Sequence, residues 1–326
     1  MKFGIIGAGE IAGKMAGTIV PMKNVERTAI AARELKRAKE FASVYGFRKS
    51  YGSYEELLAD PEIELVYIAV PHSHHHRWTL KALEAGKHVL CEKAFAENEA
   101  QAKEMIELAE RRHLLLTEAM WTRYMPSRGI IDELIESGII GDVLTVTANL
   151  GYDIDGNERI IRPELAGGAL LDLTVYPLNF ARMILGGDIQ SFDAVCVKTE
   201  TGVDGQDFVS LRYPGGQTAA MFTTIYALTD RRGMIYGEKG FIEVQNINNP
   251  ERILVYSNDR MPGPKCLRAI EVPPQISGYE YEVEACIRAI ENGATECPEM
   301  PHAETLAVMR LMDDIRARFG IVFPDE

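Results

Sequence analysis

The sequence predicts an α/β protein in two parts: a doubly wound parallel sheet, then an α+β domain with a largely antiparallel, open-faced sheet. Three observations predict it. The 326 residues exceed one ordinary core and suit two domains. The first third alternates short apolar runs with amphipathic stretches, as βα repeats do. From Ser191 to about Val272, apolar runs follow one another across Gly- and Pro-containing turns with few helices between them.

In chain order, Phe3–Ile6, Thr28–Ala31, Leu65–Val70, His88–Cys91 and Leu114–Thr117 read as buried strands. Ile11–Val20, Leu35–Tyr45, His75–Ala85 and Glu97–Arg112 read as the helices between them. The pattern changes near residue 120, so the expected domains are 1–120 and 121–326. In the second, a helix is expected over Arg128–Ser137, a strand over Val143–Leu150 and a long apolar helix over Ala169–Leu185. Strands then run to Val272, and helices return at Tyr279–Glu291 and His302–Phe319. One face of the second sheet is expected to lack a helical cover. Phe222, Ile225, Met234 and Ile242 are the candidates to line it and to pair subunits into a homodimer or homotetramer.

Composition excludes more than it suggests. A net charge of −13 argues against nucleic acid and anionic membranes as partners. No apolar run approaches the roughly 20 residues of a membrane span, and the first residues enter a strand pattern without the features of a signal peptide. The five cysteines are scattered and form no CxxC pair, so neither a zinc site nor a disulfide framework is expected. A reducing cytoplasm fits.

Gly7-Ala8-Gly9-Glu10-Ile11-Ala12 follows the first strand and opens the first helix. Gly7 permits a tight turn, Gly9 admits a pyrophosphate close to the backbone, and the small Ala12 lets helix and strand pack closely. The helix start, at Glu10 and Ile11, offers free N–H groups and a positive dipole end. This context makes the first domain a dinucleotide-binding Rossmann domain. An acidic residue at the end of the second strand would select NAD. Here the strand ends at Ala32, and Arg33 follows, with Arg37 one turn later. Two guanidinium groups suit a 2′-phosphate, so NADP is expected. NAD remains open, because Glu34 becomes the acid if the strand ends two residues later.

Glu92 and Lys93 fall at the carboxyl end of a strand, where ligands sit in such sheets. A lysine beside a nicotinamide can orient a substrate hydroxyl or take its proton. A surface Lys-Glu pair is the equal alternative on position alone.

Pro71-His72-Ser73-His74-His75-His76, Ala82 to Lys93, and Gly167-Gly168-Ala169-Leu170-Leu171-Asp172-Leu173-Thr174-Val175-Tyr176 resemble, in this order, blocks of the glucose–fructose oxidoreductase/inositol dehydrogenase/rhizopine-catabolism (Gfo/Idh/MocA) family. The resemblance spans nearly the whole chain. Glu118-Ala119-Met120-Trp121-Thr122-Arg123 looks like the branch of dimeric dihydrodiol dehydrogenase and NADP-dependent D-xylose dehydrogenase. It implies that the family's catalytic lysine maps onto Lys93, and its Asp-x-x-x-His/Tyr pair onto Asp172 and Tyr176. Tyr176 would give or take a proton, Lys93 would lower its pKa, and Asp172 would position substrate; the reverse division, with Lys93 as base, stays open. Residues four apart share a helix face, which suits a pair aimed into an interdomain cleft. Without the resemblance, Asp172 and Tyr176 read equally well as core.

Pro71, His72 and His75 are implied cofactor neighbours, with His75 toward the nicotinamide and the other histidines facing solvent. Imidazoles at these spacings can bind zinc, but no acidic or thiol cluster accompanies them and no metal is expected. Trp121 and Arg123 follow the last strand of the first domain and are candidate substrate contacts, with packing and a surface ion pair as alternatives. Ala94 stands where the family has proline, so a looser or different backbone is expected at Lys93. The function expected is hydride transfer between NADP and a hydroxyl-bearing carbon of a sugar, polyol or diol. The rival is an NADP-binding regulatory protein of the same fold without turnover.

Overall fold

A computed structural model of the chain describes residues 1–324. Strand β1 (Lys2–Ile6) leads through the glycine turn into α1 (Glu10–Ile19). The chain continues through β2 (Glu26–Ala31), α2 (Leu35–Tyr45), β3 (Lys49–Tyr51), α3 (Tyr54–Leu58), β4 (Leu65–Ile68) and α4 (His75–Glu84). Then come β5 (His88–Glu92), α5 (Glu99–Arg112) and β6 (Leu116–Ala119). All neighbours are parallel, in the order β3-β2-β1-β4-β5-β6. The inner strands carry continuous buried apolar runs, Phe3–Ile6, Leu65–Ile68 and Val89–Cys91, as strands covered on both faces do. Local chemistry sets the helix ends: Asn98 caps α5 by accepting from the Gln101 N–H, and Gly46 closes α2 at φ +74°.

Strand β3 and helix α3 were not foreseen. Lys49-Ser50-Tyr51 is a three-residue edge strand with no buried position, so it carries no apolar run to detect. With it, the order becomes the one whose reversal point lies between β1 and β4.

The second part holds α6 (Pro126–Glu136), β7 (Val143–Gly151), the short α7 (Glu158–Ile161) and α8 (Val175–Leu185). Strands β8 (Ser191–Lys198), β9 (Asp204–Arg212), β10 (Thr218–Thr224), β11 (Gly233–Gly237), β12 (Gly240–Gln245), β13 (Arg252–Ser257) and β14 (Cys266–Glu271) follow. They assemble as β14-β13-β12-β11-β7-β10-β9-β8, antiparallel except for the β7–β10 pair. Helices α9 (Glu280–Glu291) and α10 (His302–Phe319) complete the chain.

The chain forms two compact units, 1–124 with 275–309, and 125–274 with 310–324. Residues 275–309 thus pack with the first unit, whereas the sequence reading gave all of 121–326 to a second domain. The cause is visible in side chains: Thr305 donates to Glu118, His302 bonds the Leu116 carbonyl, and Ser277 bonds Thr18.

Helix α8 packs on β7 and β10 from one face of the eight-stranded sheet. On the other face, Val195, Phe208 and Phe222 lie in one cross-strand row, each at least 39% exposed. The Phe208 and Phe222 rings stack at 6.0 Å. Of the four residues expected there, Phe222 is exposed and Met234 half-buried, but Ile225 and Ile242 are fully buried. Ile242 pairs with Ile235 on the inward parity of β12, one residue off the open face. Ile225 lies just past β10 in an interior position. No helix among the described residues is long and apolar enough to cross a membrane.

Candidate active site

In the first unit, the groups of interest gather beyond the carboxyl ends of β1, β2, β4, β5 and β6. Gly7 has φ +103°, and a Cβ there would stand 2.2 Å from the Ala69 carbonyl oxygen, so glycine is demanded by the fold. Gly9 differs. Its φ of −87° suits any residue, and a Cβ there meets no protein atom within 4 Å. The open space lies at the N-terminus of α1, which has no side-chain cap. A turn this open, beside uncapped N–H groups, fits a pyrophosphate. Glu10 and Ile11 start the helix, and Ala12 is fully buried against the sheet.

Strand β2 ends at Ala31, and the buried Ala32 bonds the Tyr51 carbonyl. Arg33 and Glu34 are exposed; Glu34 is the N-cap residue of α2. Arg33 is therefore the first long side chain past the strand. Arg37 turns back instead, and its Nε and Nη2 donate to the Ala8 carbonyl at 3.1 and 2.8 Å. It braces the glycine turn.

After β4, Pro71 is half-buried and His72 to His74 form a 3₁₀ turn. His72 is 2% exposed, not solvent-facing as expected, because its ring packs edge-on against His75 at 5.7 Å. The fully buried His75 ring lies 2.8 Å from both the Val70 and Ala94 carbonyl oxygens. It ties the turn after β4 to the turn carrying Lys93. That turn is not loosened by the loss of proline: Ala94 is fully buried and its carbonyl is held by His75. Glu92 is buried and accepts from the Tyr67 hydroxyl and from the Lys93 N–H. Burial first, and the Glu92 charge second, hold the Glu282 carboxyl well above the ordinary range.

Trp121 and Arg123 sit in a 3₁₀ turn just past β6. The Trp121 ring stacks on Tyr279 with centroids 4.1 Å apart and planes 10° apart. Arg123 is largely buried and ion-paired with Glu304, so the surface pair considered from sequence is an interior one. Next to it, burial pushes the Glu118 carboxyl up to about 7, opposed by the Thr305 hydrogen bond and the Arg123 charge.

In the second unit, the helix expected over Ala169–Leu185 is two pieces. Leu170–Thr174 is a π-helical turn that runs into α8. Such turns occur often at functional sites. Asp172 lies in the π turn and Tyr176 in the first turn of α8, 6% and 8% exposed. Arg159, from α7, donates to Asp172 Oδ1 at 2.9 Å. Sequence reading missed Arg159, Tyr279 and Tyr67. None belongs to a motif, and each reaches its partner across many residues. Among the described residues, no group of three or more His, Cys, Asp or Glu side chains is arranged to hold a metal.

The first unit is thus a dinucleotide-binding domain of the kind nicotinamide-dependent oxidoreductases use. Residues 1–120 match the oxidoreductase family with an NAD-binding Rossmann fold, and residues 130–243 match the C-terminal domain of the same family. The mouse trans-1,2-dihydrobenzene-1,2-diol dehydrogenase is 33% identical over 100% of this chain and 99% of its own; the human enzyme of that name is 31% identical over the same shares. A 3-ketoreductase from Actinomadura kijaniata, in complex with NADP and TDP-benzene, superposes with a TM-score of 0.89 at 26% identity, covering 97% of each chain. A levoglucosan dehydrogenase in complex with NADH shares the fold, with a TM-score of 0.85 at 22% identity over 98% and 97% of the two chains. The chain belongs to the Gfo/Idh/MocA oxidoreductase family.

Proposed function

We propose that this protein is an NADP-dependent dehydrogenase acting on a hydroxyl-bearing carbon of a sugar, polyol or vicinal diol. The observation that carries the reading is the buried Asp172, paired with Arg159 and one turn ahead of Tyr176, in a chain that also keeps Lys93 at a strand end. The full-length likeness to dihydrodiol dehydrogenases supports the diol class. Arg33, first beyond β2, supports NADP over NAD.

Gly7, Gly9, Glu10, Ile11 and Ala12 would hold the pyrophosphate and Ala32 and Arg33 the adenosine end, with Arg37 bracing the glycine turn through the Ala8 carbonyl. Pro71, His72, His75, Glu92 and Lys93 line the turns toward the other end. The bound nicotinamide supplies the two-electron chemistry. Tyr176 and Lys93 handle the hydroxyl proton, Asp172 orients the substrate hydroxyls, and Trp121 and Arg123 contact the substrate or the residues around it. Substrate positioning by a charged, buried pair limits the reacting carbon to few poses, which is worth several kcal/mol of barrier.

The test is a screen of NADP⁺ reduction with trans-1,2-dihydrobenzene-1,2-diol, pentoses, hexoses and inositols, repeated on Lys93→Met and Tyr176→Phe. Turnover that both substitutions abolish is expected. Tight NADPH binding without turnover on any of these would replace the reading with that of a regulatory protein.

The exposed row Val195–Phe208–Phe222 supports pairing of the sheet face with a second copy, as a dimer or tetramer. Light scattering tests it, and a monomer at micromolar concentration refutes it. Five free thiols are consistent with a reducing compartment such as the cytoplasm, which cell fractionation tests.

A further inference from the structure

Two acidic residues of β9 are buried side by side beneath the turn that carries Asp172. Asp204 is 2% exposed and Asp207 not at all. Asp204 accepts the N–H groups of Ala169 and Leu170, at the start of a helical segment that has no side-chain cap of its own. Its Oδ1 occupies the space a side chain at 168 would need, 2.4 Å from where a Cβ would stand. Asp207 accepts from the Thr174 hydroxyl at 2.6 Å, and that hydroxyl also meets Thr223 of β10 at 2.6 Å. The two ends of the π turn, Leu170 and Thr174, are thus each held by one carboxyl.

The two carboxyls interact with each other, and two adjacent buried carboxylates favour a proton on one of them. Asp207 Oδ1 receives no hydrogen bond from a neighbouring donor. Burial, and then the neighbouring Asp204 charge, hold Asp207 well above the carboxylate range. Burial raises the Asp204 carboxyl too, opposed by the Leu170 and Ala169 N–H groups at the positive end of the helix. Two buried acids are a poor way to stabilise a core, since an apolar pair of similar volume does as well or better. Their place is explained by what they hold.

We propose that Asp204 and Asp207 are a positioning pair that fixes the Gly168–Thr174 turn, and through it the placement of Asp172 and Tyr176. This rests on the reading of Asp172 and Tyr176 as the residues that meet the substrate. The pair itself touches neither substrate nor cofactor.

The experiment compares Asp207→Leu, Asp207→Asn, Thr174→Val and Tyr176→Phe in the full chain, with NADP⁺ and trans-1,2-dihydrobenzene-1,2-diol as the probe, and follows amide hydrogen exchange over residues 168–178. Asp207→Leu is expected to lower kcat roughly 30-fold with the KM for NADP⁺ within about twofold, the size of effect that small misplacement produces. Asp207→Asn keeps the shape and hydrogen bonds and should restore kcat to within roughly threefold of the parent. Exchange across 169–175 should quicken in Asp207→Leu and Thr174→Val and stay slow in Asp207→Asn. If Asp207→Leu does not fold, Thr174→Val decides, with kcat expected to fall roughly tenfold. Unchanged kcat and unchanged exchange in the folded variants, beside an inactive Tyr176→Phe, would overturn the positioning role and leave the dehydrogenase reading standing. An active Tyr176→Phe would remove that reading instead, and quickened exchange would still report that the pair holds the turn.

Discussion

Arg159 Nη1 donates to Asp172 Oδ1 at 2.9 Å, joining a half-exposed guanidinium on a four-residue helix to a carboxylate buried in the π turn. A charge-assisted bond to a buried carboxylate is worth about 1.5–3 kcal/mol. Arg159→Ala is therefore expected to raise the KM for the diol or sugar on the order of tenfold, leaving NADPH affinity unchanged. Arg159→Lys should recover only part of this, because an ammonium lacks the planar fork. Steady-state kinetics beside NADPH fluorescence titration measure both. A variant that loses NADPH affinity as well would show that Arg159 does more than orient Asp172.

Arg33 and Arg37 were read together as a 2′-phosphate pair, and their environments now separate them. Arg33 is exposed past β2, whereas Arg37 is bound to the Ala8 carbonyl through two nitrogens. Arg33→Ala should weaken NADPH on the order of tenfold or more and leave NADH untouched, since only one of them carries the phosphate. Arg37→Ala should weaken both, because the turn it braces serves the pyrophosphate they share. Parallel titrations with the two reduced cofactors decide. A selective loss of NADPH binding in Arg37→Ala would return it to the phosphate.

How far these features were legible follows from their physics. Helix α10 falls on its expected limits because eighteen residues of helical pattern leave little freedom. Strand β3 escaped because an edge strand of Lys, Ser and Tyr has no apolar face to show. The Gly7–Ala12 turn shows its chemistry in one short motif, whereas the family resemblance was needed to single out Asp172 and Tyr176, which otherwise read equally well as core, and to weigh Lys93 above a surface pair. Arg159, thirteen residues from Asp172, belongs to no periodic segment and gave no signal. Asp207 left a faint one. It stands in the inward series Asp207-Val209-Leu211, where an acid breaks an apolar alternation. The same alternation, read one residue out of phase, put Ile242 on the open face when it belongs to the core.

Glu118 gives the protein a pH signature. Its carboxyl is raised from 4.5 to about 7 by burial, so folding favours the protonated form. The stability this contributes is whole below pH 4.5 and fades as the pH climbs to about 7, a change of about 3 kcal/mol at 1.36 kcal/mol per unit. Glu118→Gln keeps an acceptor for Thr305 and does not titrate. The variant's Tm should match the parent near pH 5 and exceed it by several degrees at pH 8. A Tm difference that stays flat across that range would show that Glu118 is not desolvated as its burial implies.

Gly168 and Gly86 both hold positive φ, +120° and +76°, but differ in what surrounds them. A Cβ at Gly86 meets nothing within 4 Å, so Gly86→Ala carries the left-handed backbone cost alone, about 1 kcal/mol. A Cβ at Gly168 would meet Asp204 Oδ1 at 2.4 Å as well, and the carboxylate cannot retreat without releasing the Leu170 N–H. Gly168→Ala is expected to lose about 3 kcal/mol or more in chemical denaturation. Asp204→Ala is destabilising by itself, since it uncaps the turn. In the double variant the collision is gone, and the loss should be smaller than the sum of the two single losses. Strict additivity would mean that Gly168 is required for its backbone angle alone and that the Asp204 contact plays no part in its identity.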